Sequence, residues 1–271
     1  MKCFEVVKIV LDDLYKKVQA EHGTNTDAAI KARLAYLHEV FEGQEVDVDY
    51  SDPVTRFAYI FHYTTSHANM VFQAIDGFLV EGRKEEGFEE LQNIFKAKRV
   101  NITCIAGGPG SDVLGVLKYL SLPGIPTNLE KLRYTICDHE VKWSESWYDV
   151  DDKLDTPIHF HTSSSFQPLD VTSPDTYSKH GIITDAHLFT MIYFISELYK
   201  YREDAREFFD SLFTNAKPGA LFLFVDNSRR MFYDWFDLIA KANGLKVLRT
   251  RNYLELQTNY DEERKVLGLY Y

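Results

Sequence analysis

Apolar residues recur in two rhythms along this chain, and the change falls near residue 98. Before it the spacing is helical. Phe4, Val7, Ile9, Val10, Leu14 and Val18 form one amphipathic stripe, and Leu34, Leu37 and Val40 form another within Ala28–Phe41. Asp52-Pro53 is a helix start, a capping acid followed by proline in the first turn. It predicts a helix over Val54–Tyr63, followed by a second from about Ser66 to Leu79. Gly77, Gly82 and Gly87 mark the exit, and Glu85–Ala97 predicts a last helix. After residue 98, β-rich runs alternate with helical ones, which signals a parallel sheet. The expected strands are Ile102–Ala106, Tyr134–Asp138, Ile158–Thr162, His187–Tyr193, Ala220–Val225, Lys246–Tyr253 and Val266–Tyr271. Helices fill the gaps between the first five. Tyr233–Ala242 fills the next and ends at Asn243-Gly244. The last two strands are joined only by the polar turn Asn259–Arg264, which predicts an antiparallel hairpin.

One junction carries candidate chemistry. The first strand enters Gly107-Gly108-Pro109-Gly110, and a helix follows through Val113–Leu120. Glycines there allow backbone angles and close approach that a Cβ would block. The helix start adds free N–H groups and partial positive charge. A dinucleotide loop has the spacing G-x-G-x-x-G. Here the third position falls on Val113, and Asp112 stands at the helix start. A carboxylate there repels pyrophosphate. It suits a ligand with a positive centre, or with free hydroxyls and amines.

Composition narrows the classes. The chain has 271 residues, 45% of them hydrophobic, enough for one large domain or a domain with a cap. A net charge of −11 argues against unaided binding to long nucleic acid. The 17 Tyr and 19 Phe exceed what a core alone asks for and allow an aromatic-lined pocket. Cys104 and Cys137 lie in apolar runs and are expected to pack as small hydrophobes; with Cys3 they make no zinc or disulfide pattern. His159 and His161 alternate on one strand with no third ligand nearby, so a structural role is expected. No apolar run approaches a membrane span, and the N-terminus lacks a signal-peptide core. A cytoplasmic protein is the simplest expectation.

The glycine loop, the strand–helix alternation and the terminal hairpin together resemble the class I S-adenosylmethionine-dependent methyltransferases, over roughly residues 99–271. The resemblance implies a Rossmann-like α/β fold: a seven-stranded, mostly parallel sheet with an antiparallel C-terminal hairpin strand, beneath an N-terminal helical cap at 1–98. It implies S-adenosyl-L-methionine as cofactor. Ala106, Gly107, Gly108, Pro109, Gly110 and Asp112 would hold its methionine end. Asp138, ending the second strand, would accept both ribose hydroxyls, and His139 would lie beside the adenine. Asp138 as a cap for the next helix is compatible with that role. Asp170, with Val171, would meet the adenine amino group. Met191 and Tyr193 would face cofactor and substrate.

The acceptor is less constrained. Methyltransferases of base amino groups often carry (Asp/Asn)-Pro-Pro-(Tyr/Phe) after the fourth strand, whereas this chain has Tyr193-Phe-Ile-Ser196. Oxygen, ring-nitrogen and small-molecule amine acceptors remain, and a small molecule fits the acidic charge. Glu197 either orients the acceptor or acts as base, or it caps a helix or forms an ion pair. Asp226 or Asn227 either reaches the acceptor or caps the helix near Arg229. The segment Arg56–Asn69 is rich in polar-tipped rings. Tyr63 and His67 are expected over the cofactor or acceptor, against the alternative of a core tyrosine–histidine network. His62 and His67 are the candidate neutral-pH bases. RNA methylation is the enzymatic alternative, with Arg229-Arg230, Arg249 and Arg251 as the compact basic residues. A catalytically silent, cofactor-binding regulatory subunit is the alternative from another class.

Overall fold

The computed structural model describes residues 3–43, 47–81, 86–125, 128–152, 160–178 and 185–250. Five helices precede the sheet: α1 (Cys3–His22), α2 (Thr26–Gly43), α3 (Pro53–Tyr59), α4 (Thr65–Glu81) and α5 (Phe88–Lys96). Val7, Val10, Leu14 and Val18 of α1 are buried as the stripe predicts, but Ile9 is exposed. Asp52 caps α3 by accepting from the N–H groups of Val54 and Thr55 at 3.1 and 3.3 Å. The expected break between two helices near residue 65 does not occur. A π-turn, Ile60–Thr64, joins α3 to α4. No glycine or proline interrupts this stretch, so the extra residue is absorbed by widening one turn. Gly77 lies inside α4. Gly87, at φ +84°, starts α5.

The sheet contains β1 (Arg99–Ile105), β2 (Lys131–Asp138), β3 (His161–Pro168), β4 (Leu188–Ile192) and β5 (Leu221–Val225), ordered β3-β2-β1-β4-β5. Every pairing is parallel. The described sheet thus has five strands, not the seven expected, and no antiparallel strand. Residues 246–250 are outside the sheet, and 251–271, with the expected hairpin, lie outside the described residues. The third strand also begins later than its apolar run predicts. Ser163–Pro168, expected as loop, pairs with β2, and the hydroxyls of Thr135 and Ser165 meet at 3.1 Å. Ladder pairing overrides the weak strand preference of serine at this edge.

The connecting helices are α6 (Ser111–Leu120), α7 (Trp143–Asp152), α8 (Pro174–Tyr177), α9 (Phe194–Leu198), α10 (Arg206–Asn215) and α11 (Arg230–Ala242). One apolar cluster joins α1, α3 and α4 to α6, α7 and one sheet face. The other face packs on α9, α10 and α11, largely through Phe189, Phe208, Phe209, Phe213, Trp235 and Phe236. Cys104 and Cys137 are both buried, and burial pushes their thiols up. Gly115 of α6 lets α4 approach closely, since a Cβ there would lie 2.4 Å from the Ala68 carbonyl oxygen. Lys118 donates to the Asn69 amide oxygen across the same seam at 2.9 Å. The helical layer is thereby fixed over the carboxyl end of the sheet. No described helix is long and apolar enough to cross a membrane.

Candidate functional site at the β1/β4 switch point

Strand order reverses between β1 and β4, and in an open parallel sheet the ligand crevice lies at the carboxyl ends of such strands. The two non-glycine residues described with positive φ are Ala106 (52°) and Tyr193 (55°), immediately after β1 and β4. Such angles cost energy, and they cluster at binding sites. The Tyr193 N–H is held by the Val225 carbonyl oxygen at 2.7 Å.

The glycine loop closes when the Gly110 N–H donates to the Gly107 carbonyl oxygen at 2.8 Å, and the Gly107 N–H donates to that of Cys137 at 3.1 Å. Gly110 sits at φ +80°, and a Cβ on it would lie 2.1 Å from the Trp147 ring. Pro109 is buried in the same turn. The Gly108 N–H donates to Asp138 Oδ2 at 2.9 Å, and the Glu140 N–H donates to Oδ1 at 3.0 Å. The Asp138 carboxylate thus braces the loop and the turn after β2, but α7 starts only at Trp143, so it does not cap that helix. Each oxygen keeps a lone-pair direction for a ribose hydroxyl. Burial pushes the Asp138 carboxyl up to about 6, opposed by those two N–H groups.

Asp112 lies beneath the loop, 2% exposed. It accepts hydrogen bonds from the hydroxyls of Ser111 and Thr190. Burial pushes its carboxyl up to about 7 and leaves it almost no surface with which to touch a ligand. The Met191 side chain is also core, on the second sheet face with Val171. Asp170 Oδ1 accepts from the N–H and hydroxyl of Thr172, at 2.9 and 2.6 Å. Its Oδ2 lies 3.8 Å from Nδ1 of His139, whose ring is largely exposed. This pair borders the crevice on the β2/β3 side.

Tyrosine, histidine and tryptophan rings make the other wall. Tyr59 lies 5.3 Å from Tyr50, 5.2 Å from Tyr63 and 5.5 Å from Trp143, between ring centroids. Tyr50 meets Trp143 at 5.2 Å. His67 stacks on Tyr193 at 4.5 Å and 12°. Phenylalanine fills the second sheet face, whereas tyrosine dominates here, so the aromatic excess divides between core and cleft. The π-turn aligns Tyr59, Tyr63 and His67 at four-residue steps. His67 is 6% exposed, and burial pushes it down to about 3, so its imidazole is neutral. His62 is exposed on the outer side and feels His38. The structure thus brings Tyr63, His67, Asp138 and Tyr193 to one crevice and leaves His62 off it.

Glu197 is on α9, one turn beyond Tyr193. The Tyr50 hydroxyl points to its Oε1 at 3.5 Å. Burial, Asp138 and Asp226 push it up to about 8. Its side chain is exposed to solvent, which moderates that shift. Neither expected structural role applies: Glu197 has no cationic partner and makes no cap among the described residues. Asp226 is a cap, but for α9, accepting the Ser196 N–H at 2.9 Å. Asn227 accepts from the Arg229 N–H at 3.4 Å.

The cations nearest the crevice are engaged elsewhere. Arg56 donates to the carbonyl oxygens of Tyr50 and Ser51 at 2.9 and 2.7 Å and lies 3.7 Å from Glu145. Lys200 pairs with Asp47 at 2.6 Å. Among the described residues the basic candidates form no common stripe. Arg229-Arg230 start α11, whereas Arg249 follows its far end and lies over Phe78. Arg251 and His159 lie outside the described residues. His161 is exposed, and no described cluster of His, Cys, Asp or Glu has metal-binding form. Tyr50, Trp143 and Thr190 carry no motif. Tyr50 reaches the crevice only because Arg56 pins its loop, and Trp143 because α7 starts five residues after Asp138. No protein-family model matches this chain, and no curated protein matches it in sequence.

Proposed function

We propose that the chain is an S-adenosyl-L-methionine-dependent methyltransferase acting on an oxygen or nitrogen of a small molecule in the cytoplasm. One observation carries the reading: a glycine loop tied to Asp138 lies under aromatic rings, in a crevice whose charges are acidic. Pyrophosphate would meet the acidic groups Asp112, Asp138 and Glu197, while the described cations Arg56 and Lys200 are engaged elsewhere. A nucleoside bearing a sulfonium fits that donor set: Asp138 for the ribose, the tight loop for the methionine end, and tyrosine faces for the positive centre. The cofactor would supply an electrophilic methyl group. The chain's own part is to hold the acceptor in line, exclude water and take up a proton where needed.

Calorimetric titration tests it. S-adenosylmethionine and S-adenosylhomocysteine should bind at micromolar concentrations and NADH should not. Asp138→Ala should weaken both sulfur ligands by roughly ten- to a hundred-fold, the value of a charged hydrogen bond. Equal affinity in that variant removes Asp138 from the ribose site. Tight binding with no turnover on any acceptor would instead favour the regulatory alternative.

A further inference from the structure

Residues 47–52 cross the crevice from one side to the other. At one end the Asp47 carboxylate meets Lys200 Nζ at 2.6 Å and accepts from the Tyr201 hydroxyl at 3.0 Å, both in the short turn Tyr199–Tyr201 after α9. In the middle, the Tyr50 ring lies 5.2 Å from that of Trp143 at the start of α7, while its hydroxyl points to Glu197 of α9. Trp143 follows β2, Glu197 follows β4, and β1 lies between those two strands. A segment that touches both sides therefore passes over the end of β1, where the glycine loop begins.

Its two ends are held with different strength. Asp52 caps α3 and lies 3.0 Å from Arg33. The buried Arg56 guanidinium donates to the carbonyl oxygens of Tyr50 and Ser51 at 2.9 and 2.7 Å. Charged hydrogen bonds in so buried a place are costly to break. The Asp47–Lys200 pair is the opposite case. The Asp47 side chain is 74% exposed, and a pair of that kind shifts an equilibrium by about fivefold at most. The Tyr50–Glu197 contact, at 3.5 Å, is at the limit of a hydrogen bond.

We infer that residues 47–50 are a strap over the crevice, hinged at the Tyr50 Cα–C bond and latched by Asp47 on Lys200 and Tyr201, and that a ligand enters and leaves when the latch releases. Rotation about that bond swings the Tyr50 ring together with 47–49 and leaves both Arg56 hydrogen bonds in place. The lifted ring uncovers Trp143, which is 2% exposed with the strap down. Access is controlled in this way whichever ligand the glycine loop takes; only the probe S-adenosylhomocysteine rests on the methyltransferase reading.

Stopped-flow binding of S-adenosylhomocysteine to the whole protein reads the latch. Asp47→Ala and Lys200→Met should each raise the association and the dissociation rate constants alike, by about two- to fivefold, and leave affinity nearly unchanged. Damage to the site itself would weaken affinity without speeding association. Acrylamide quenching of tryptophan fluorescence reads the strap with no ligand present. Trp147 and Trp235 are also buried, so quenching should rise in both variants and fall back when Trp143→Phe is added. Unchanged quenching, or unchanged rate constants in a protein that does bind S-adenosylhomocysteine, overturns the inference and leaves the methyltransferase reading intact. Raised quenching in a protein that binds no S-adenosylhomocysteine keeps the strap and removes the methyltransferase reading.

Discussion

Gly110→Ala should lower stability by about 2–5 kcal/mol and abolish binding at the crevice. Two costs add. The added Cβ would lie 2.1 Å from the Trp147 ring, which is fully buried against Tyr134 and cannot retreat. Overpacking of that kind costs about 1–3 kcal/mol. The backbone is also at φ +80°, where an L-residue loses about 1–2 kcal/mol. Gly219→Ala is the matched control: φ is +83°, but nothing lies within 4 Å of its Cβ. It should show the backbone cost alone. Urea unfolding of both variants separates the two contributions. If they lose the same stability, Trp147 does not press on the loop.

Asp112→Asn should make the protein more stable at pH 8 and no more stable near pH 4. In the unfolded chain this carboxyl titrates near its ordinary 3.8, while burial raises it to about 7 in the fold. Between those values the folded protein keeps a proton that the unfolded chain releases. The group's favourable contribution is therefore full below pH 4 and lost as pH rises through 7. A displacement of about three pH units corresponds to about 4 kcal/mol at pH 8, because the buried group must then be ionised. Asparagine keeps an oxygen for one of the two hydroxyls, its NH2 can donate to the other hydroxyl's oxygen, and it has no charge to bury. Denaturant unfolding from pH 4 to 8 measures the difference, and parallel profiles would refute it. The same substitution removes negative field below the loop, so affinity for a sulfonium should fall as stability rises. That opposition is expected where a binding site holds a destabilising charge.

The sequence made the parallel sheet and the glycine loop legible because both rest on local signals. Apolar runs located four of the five strands, and Asp52-Pro53 located the start of α3. Failures came where tertiary contacts decide. The Ser163–Pro168 strand exists because β2 offers a ladder, not because serine prefers it. The π-turn depends on α3–α4 continuing against the core without a break. At the site, Asp138 was legible from its position at a strand end; the alternative of a helix cap fails, because α7 starts five residues later. The difference between His62 and His67 was not: both lie in one polar aromatic segment, and the structure leaves His62 exposed in the π-turn and buries His67 in α4. Glu197 kept two structural readings in the sequence. The fold gives the cap of α9 to Asp226, and no described cation pairs with Glu197.

The most direct measurement is a crystal structure with S-adenosylhomocysteine. The account predicts ribose hydroxyls on the Asp138 carboxylate, the methionine end at Ala106–Gly110 and the sulfur facing the Tyr59–Tyr63–His67 wall. A crystal saturated with the ligand but holding it away from this crevice, or not at all, would contradict the account.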